Sequence, residues 1–105
     1  MKSYGLECPV ARTLDVVGDR WTILILRDLF LNPARRFQDF QESLTGLAPN
    51  ILSERLKSLE ADGIVSRRPY DEHPPRFEYV LTTKGRSLRP VLKAMREWGT
   101  QFTRP

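Results

Sequence analysis

Cysteine is nearly absent from this chain of 105 residues, with Cys8 as the single example. One thiol cannot form a disulfide within the chain, so the sequence excludes a disulfide-stabilised scaffold and favours a reducing compartment. Long apolar runs are also missing, since no stretch of about 18 apolar residues occurs and the N-terminal segment lacks the apolar centre of a signal peptide. These absences predict a cytoplasmic protein without a membrane partner.

Histidine, a frequent catalytic residue and metal ligand, is equally scarce. His73 is the only histidine, and together with Cys8 it cannot supply the nitrogen and sulfur ligand set of a zinc site. No glycine-rich phosphate loop, nucleophile elbow or metal-binding histidine pair is present. We therefore predict no catalytic residues, no metal, no cofactor and no enzymatic activity, and interpret His73 as a solvated loop residue.

Basic residues outnumber acidic residues by 17 to 13, a formal net charge of +4. The excess lies in residues 77–105, with six basic residues against two acidic, whereas 1–33 and 34–76 are balanced at four to four and seven to seven. A basic balance suits a polyanionic partner but does not determine the fold. The excess of basic residues lies on one face of the last helix. We interpret this face as solvated, and contact of this face with flanking phosphate is the less favoured alternative. The residues of this face are Arg86, Arg89, Lys93 and Arg96.

Apolar periodicity predicts four helices in residues 9–62. The first begins at Pro9 and ends at Gly18, and the second, from Arg20 to Asn32, is apolar nearly all round, as expected of a central helix. A brief third helix follows over 37–44, with a very short edge strand around Arg36 as a further option. The fourth, about 49–62, carries the stripe Leu52, Leu56 and Leu59 and ends before Gly63.

The remaining residues predict a hairpin and a final helix. Segments 64–70 and 76–82 are rich in β-branched and aromatic residues, and the proline-containing segment 71–75 between them is expected to be the hairpin tip. Thr83 then caps one continuous helix over about 84–103. We predict one domain, mainly α with a small antiparallel β wing: a winged helix-turn-helix.

In this plan the fourth helix enters the major groove of duplex DNA. With the leucine stripe on the core, a rotation of about 100° per residue turns short polar and basic side chains outward, together with Glu54 and Ala61. Such groups suit base edges and phosphates, although any solvated helix face has a similar composition. The candidates for base contacts are Asn50, Ser53, Lys57 and Ser58.

Arginines around the hairpin tip strengthen the nucleic-acid interpretation. Asp71 and Glu72 weaken it, unless they orient the arginines or only keep the tip soluble. Arg55 is a weaker candidate because its position borders the core, where an internal ion pair could hold it. The candidates for phosphate contacts are Arg36, Arg55, Arg67, Arg68 and Arg76.

Several motifs in order resemble the HxlR family of bacterial winged-helix regulators, relatives of the MarR group. They are Cys-Pro at 8–9, Gly-Asp-Arg-Trp at 18–21, Leu-Ser-Glu-Arg-Leu at 52–56, Asp-Gly at 62–63 and Pro-Pro-Arg-x-Glu-Tyr at 74–79. The resemblance implies a DNA-binding transcription regulator with its recognition helix at about 49–62. It also implies a dimer in which the first and last helices, about 9–17 and 84–103, pack across the two-fold axis.

The last helix supports a dimer independently of the resemblance. Met95, Trp98 and Phe102 on one face would form a large apolar patch on so small a protein, and a partner subunit is the simplest cover, although part of this face must also close the monomer core. The predicted dimer-interface residues are Val10, Leu14, Val91, Met95, Trp98 and Phe102.

Cys8 permits two interpretations. It precedes a helix start, where backbone N–H groups and the helix dipole stabilise a thiolate. The resemblance implies a sensor of oxidants or electrophiles, because some family members use a cysteine at this position, sometimes through a disulfide between subunits. The alternative, which the residue type favours, is a small buried residue without a redox role.

The sequence thus predicts a homodimeric, sequence-specific regulator that binds an inverted-repeat operator in double-stranded DNA and responds to an electrophile or another effector. The alternative is a winged helix used as a protein-interaction module, in which the wing and fourth helix face another protein. RNA binding is a weaker third option because the strands lack a pattern of stacking aromatic residues.

Overall fold

The structure, a computed structural model, describes residues 7–105 and is mainly helical with a small antiparallel sheet. Its elements in chain order are α1 (Pro9–Val17), α2 (Arg20–Leu31), β1 (Ala34–Arg35), α3 (Phe37–Ser43), α4 (Pro49–Ala61), β2 (Val65–Glu72), β3 (Pro75–Leu81), α5 (Thr83–Arg86) and α6 (Arg89–Phe102). The predicted fold class, a mainly α winged helix-turn-helix, is confirmed. The short edge strand expected around Arg36 is β1, which ends one residue earlier, and Arg36 itself caps α3.

Helix α2 forms the centre of the core. Ile25 and Leu26 are fully buried, and α3 and α4 pack against the same helix. Phe40 of α3 is also fully buried. Burial of side chains of this size contributes about 1.5–3 kcal/mol each to the stability of the fold. Helix α2, which the sequence shows to be apolar nearly all round, is therefore the helix against which other elements of the core pack.

The sheet has the order β1-β3-β2, with antiparallel pairing throughout. Its long strands extend further than the sequence predicts, because the pairs Asp71↔Arg76 and Glu72↔Pro75 continue the ladder. The predicted tip at 71–75 was too wide, and only His73 and Pro74 form the turn. A proline at the first position of a strand is tolerated, which lets Pro75 begin β3.

The final helix is interrupted, contrary to the prediction of one continuous helix capped by Thr83. Thr82 is the cap: its Oγ1 accepts a hydrogen bond from the backbone N–H of Gly85 at 3.0 Å. Helix α5 ends at Arg86 and α6 begins at Arg89, with Pro90 in the first turn of α6, since proline has no N–H with which to continue a preceding helix. Gly85 permits close packing, as a Cβ there would lie 2.1 Å from the Ile64 carbonyl oxygen.

Within residues 7–105, none of the helices combines the length and the apolar character needed to cross a membrane.

Candidate nucleic-acid interface

Helix α4 has one face on the core and the opposite face in solvent. Leu52, Leu56 and Leu59 are 0%, 1% and 1% exposed, as the apolar stripe predicts. Packing of α4 against α2, α3 and β2 fixes its axis and its rotation about that axis. The outward face is therefore a defined surface of the protein.

The outward face of α4 carries the predicted base-contact residues. Asn50, Lys57 and Ser58 are exposed, and Ser53 is half-buried at the edge of the same face. Glu54 is exposed between them. The surface thus offers amide, hydroxyl, ammonium and carboxylate groups side by side, which are the groups that hydrogen-bond base edges.

Arg55 points away from this surface and forms an ion pair with Asp19. Asp19 is also the cap of α2, where its Oδ1 accepts from the backbone N–H of Trp21 at 2.7 Å and of Thr22 at 3.1 Å. One carboxylate therefore joins α4 to the start of α2. The internal ion pair considered as an alternative for Arg55 is present, and it links α4 to the start of α2.

The segment before α4 is fixed by a cap and a tight turn. The backbone N–H of Arg36 donates to Asp39 Oδ2 at 2.8 Å, which closes the first turn of α3. Gly46 has φ of +91°, a backbone conformation that favours glycine, while Leu44 and Leu47 on either side of it are buried. Helices α3 and α4 are therefore joined by a tight turn whose flanking leucines anchor it to the core.

Two wing arginines are paired with glutamates. Arg67 Nε donates to Glu60 Oε2 at 3.1 Å, and Arg68 Nε donates to Glu78 Oε2 at 2.6 Å. The two arginine side chains remain 50% and 59% exposed, so other guanidinium nitrogens still face solvent. Asp71 and Glu72, which the sequence suggested as orienting groups, do not orient them. Glu60 and Glu78 orient these arginines instead. The end of α4 places Glu60 beside Arg67, and the register of β2 and β3 places Glu78 beside Arg68.

Arg76 and Arg36 are the two remaining arginines predicted to contact phosphate. Arg76 is exposed beside the wing turn and is in no ion pair within residues 7–105. The guanidinium carbon of Arg36 lies 3.9 Å from the ring centroid of Tyr70, a cation–π contact that joins the start of α3 to the wing. Sequence reasoning missed Tyr70, and no local signal marks it, because the two residues meet only through the fold.

Tyr79 lies on β3, the middle strand of the sheet. Its ring packs edge-on against Phe40 with centroids 6.1 Å apart. Burial raises the pKa of the Tyr79 hydroxyl above its ordinary value of 10.0; Arg67 nearby opposes the rise and Glu60 adds to it. The residue is a neutral part of the wing base at physiological pH.

Cys8 is exposed, which overturns the interpretation of a small buried residue. It is the N-cap of α1, and its Sγ accepts a hydrogen bond from the backbone N–H of Ala11 at 3.4 Å. An exposed sulfur at a helix N-terminus is accessible to reagents and lies where the helix dipole favours negative charge.

The apolar residues expected at a dimer interface are all exposed in the single chain. Exposure is greatest at Val10, with 71%, and the rings of Trp98 and Phe102, which are 61% and 62% exposed, lie 5.4 Å apart. Helix α6 contains no buried residue, although Leu88 and Leu92 pack partly against the core. The remaining exposed members of the set are Leu14, Val91 and Met95.

Comparison with known proteins gives one consistent family. Residues 16–105 match the model of the HxlR-like helix-turn-helix family. An uncharacterized HTH-type transcriptional regulator of Synechocystis sp., sll1512, is similar, with 41% identity over 98 residues that make up 93% of this chain and 72% of that protein.

Solved structures show the same arrangement of elements. The redox regulator HypR in its oxidized form superposes with a TM-score of 0.84 at 38% identity, over 93% of this chain and 100% of the HypR chain. The reduced form of the transcriptional regulator YodB from B. subtilis superposes with a TM-score of 0.77 at 35% identity, over 92% of this chain and 95% of YodB.

Proposed function

The chain belongs to the HxlR-like helix-turn-helix family and is a DNA-binding transcription regulator, and we propose that it acts in the cytoplasm as a homodimer on an inverted-repeat operator. The observation that carries the proposal is the outward face of α4, which is polar, exposed and rigidly mounted between α2 and the wing. Its relatives are named as transcriptional regulators, and we propose that this chain acts by binding DNA and without enzymatic activity.

We propose that α4 enters the major groove and reads the operator. Asn50 offers an amide that matches adenine in a bidentate contact, and Lys57 offers an ammonium for guanine or phosphate. Ser53 and Ser58 supply hydroxyl groups at the edge of the same surface. Placement of Asn50 and Ser53 in the first turns suits the part of a recognition helix that reaches base edges.

Phosphate contacts in this proposal come from the wing and from the start of α3. Arg67, Arg68 and Arg76 would follow the backbone beside the groove, and Arg36, stacked on Tyr70 of the wing, would add a further contact. Arg67 and Arg68 would have to share their guanidinium groups between phosphate and their glutamate partners. Arg55 is the weakest of the phosphate candidates, because Asp19 holds it.

The proposed dimer covers the exposed apolar side chains of α1 and α6. These large apolar side chains are exposed in the single chain, and a two-fold partner would bury the same residues on both subunits. Two copies of α4 would then meet successive major grooves about one helical turn apart, which gives the operator its inverted symmetry.

We further propose that Cys8 makes the regulator responsive to oxidants or electrophiles. The sulfur is exposed, and two structural neighbours are described as a redox regulator in an oxidized form and a transcriptional regulator in a reduced form. Because the chain has one cysteine, oxidation would have to join Cys8 to the cysteine of a second copy or to a small thiol.

Selection of binding sites from a random duplex library tests the function. We expect enrichment of an inverted repeat that binds two chains, and an affinity that falls with salt at a slope of about −0.9 per neutralised phosphate. Reduced, folded protein that enriches no sequence would favour the other role, a protein-interaction module. An apolar protein interface would also lack the steep salt dependence, so the two readouts separate the two roles.

A further inference from the structure

A groove of about 790 Å³ lies between α2 and α6, on a different surface from α4 and the wing. Pockets that hold small organic ligands have volumes of roughly 300–1,000 Å³. The groove is open to solvent along one side, and its floor is apolar. The floor consists of partly buried side chains that belong to the edge of the core, namely Ile23, Leu24, Phe30 and Leu92.

The charged side chains that line the groove are all cationic, and the exposed apolar side chains of Leu31 and Met95 lie among them. Arg27 contributes from α2, and Arg89, Lys93 and Arg96 contribute from successive turns of α6. No acidic side chain lines the groove in the part of the chain that the structure describes. Four positive charges around an apolar floor repel one another, and an anion in the groove would relieve that repulsion.

The rim cations are only weakly neutralised by the protein itself. Arg27 and Arg96 are in no ion pair among residues 7–105, and Lys93 Nζ lies 4.0 Å from Glu97 Oε1, a carboxylate outside the groove. Arg89 is held at the wall, with its guanidinium carbon 4.8 Å from the ring centroid of Phe30. The charge is therefore available, and part of it is fixed in position.

We propose that this groove binds an organic anion whose aromatic or aliphatic body lies on the apolar floor and whose carboxylate or sulfonate is held by Arg27 and Arg96. The apolar floor binds the body of such a ligand, and the positive charges bind its carboxylate or sulfonate. An inorganic anion would leave the floor uncovered, and a neutral apolar molecule would leave the cations without a partner.

The competing occupant is a second copy of the chain, because Met95 contributes both to the groove and to the apolar stripe of α6. The other exposed apolar residues of α6, Val91, Trp98 and Phe102, do not line the groove. At about 100° per residue, Trp98 lies roughly opposite Arg89 around the helix axis, and it does not line the groove. A partner that covers Trp98 and Phe102 therefore leaves the cationic rim accessible.

Two fluorescent probes that differ by one charged group test the proposal on the full chain without DNA. The anion is 8-anilinonaphthalene-1-sulfonate, and the neutral probe is N-phenyl-1-naphthylamine, which has the same rings without the sulfonate. We expect one anion per chain, bound at least tenfold more tightly than the neutral probe and weakened by salt, since charge-assisted hydrogen bonds contribute about that factor. The measurement involves no operator, so its outcome is independent of the proposed function.

Substitutions locate the site. Arg27→Gln and Arg96→Gln should each weaken binding of the sulfonate about tenfold and leave the neutral probe unaffected, and both residues are exposed, so the fold should tolerate them. Arg104→Gln, an equal change of charge outside the groove, should have no effect. Equal binding of the two probes, an equal effect of Arg104→Gln, or no sulfonate binding to the native protein would each overturn the proposal.

Discussion

Asp28 accepts two hydrogen bonds from the guanidinium of Arg35, from Nε to Oδ2 at 3.1 Å and from Nη2 to Oδ1 at 3.2 Å. The carboxylate is buried, and Ser43 Oγ donates to the same Oδ2 at 2.7 Å. One side chain on α2 therefore holds both β1 and the end of α3. This network sets the helix-turn-helix pair against the sheet that carries the wing.

Asp28→Asn should lower the free energy of unfolding by about 3 kcal/mol, because it leaves a partly buried arginine without its charge partner. Urea denaturation followed by circular dichroism measures the change. Glu97→Gln provides the matched control, since Glu97 is exposed and its carboxylate only reaches Lys93 at 4.0 Å, so little change is expected. Equal effects of the two substitutions would mean that the network contributes nothing to stability.

Glu78→Gln should strengthen binding to every duplex several-fold. Glu78 now engages Arg68, and removal of its charge leaves that guanidinium free for phosphate. If one phosphate contact is gained, the salt slope should steepen by about 0.9. The measurement is fluorescence anisotropy of labelled duplexes of unrelated sequence over a range of salt.

Glu97→Gln again serves as the control, because it removes the same charge from α6 rather than from the wing. A similar gain in affinity from both substitutions would mean that net charge alone is responsible. An unchanged affinity for Glu78→Gln would mean that Glu78 does not compete with phosphate for Arg68.

Local sequence patterns predicted the orientation of α4 in the candidate interface, whereas the ion pairs of its arginines depend on the tertiary fold. The spacing of Leu52, Leu56 and Leu59 is enough to orient α4, since helical periodicity is a property of a few consecutive turns. The pairing of Arg67 with Glu60 depends on how β2 leaves α4, and the pairing of Arg68 with Glu78 depends on strand register. Neither is encoded by local spacing.

The distinction between local patterns and tertiary contacts also explains two other differences between prediction and structure, the break in the last helix and the exposure of Cys8. The break between α5 and α6 depends on Pro90 together with the close packing of Gly85 on Ile64, and only the proline is visible as a local signal. The exposure of Cys8 follows from where α1 lies on the core. A single cysteine has no periodicity from which its burial could be inferred.

Tyr79 should make the fold sensitive to alkaline pH. Its pKa is raised in the folded protein, so the unfolded chain loses the phenolic proton first. The stabilisation is complete below about pH 10, and it is lost as the pH rises through the folded pKa. Tyr79→Phe should therefore flatten the decline of unfolding free energy above about pH 10 in urea titrations. An unchanged alkaline decline would show that other groups cause it.

Trp98→Glu should dissociate the proposed dimer. The side chain is 61% exposed in the single chain, so the charge disturbs a subunit contact more than it disturbs the monomer core. Sedimentation equilibrium should give the mass of one chain, with the circular dichroism spectrum unchanged. Operator affinity should fall by about a hundredfold or more, because the two half-sites are no longer linked.

Thr100→Glu is the matched control on the same helix. Two residues further along, it lies about 200° around the axis from Trp98 and is also exposed. It should leave the dimer intact. A Trp98→Glu protein that remains dimeric would place the subunit interface on another surface.

Cys8→Ser should preserve operator binding and abolish the response to diamide. Serine is a good N-cap, so its hydroxyl can replace the sulfur as acceptor for the backbone N–H of Ala11, and the stability of α1 should be retained. In the native protein, diamide should produce a covalent dimer on non-reducing gels or, with a small thiol present, a mixed disulfide, together with a change in operator affinity. Both effects should be reversed by dithiothreitol. The Cys8→Ser chain contains no thiol at all, so a response that persists in it would end the sensor proposal without affecting the proposal that α4 binds DNA.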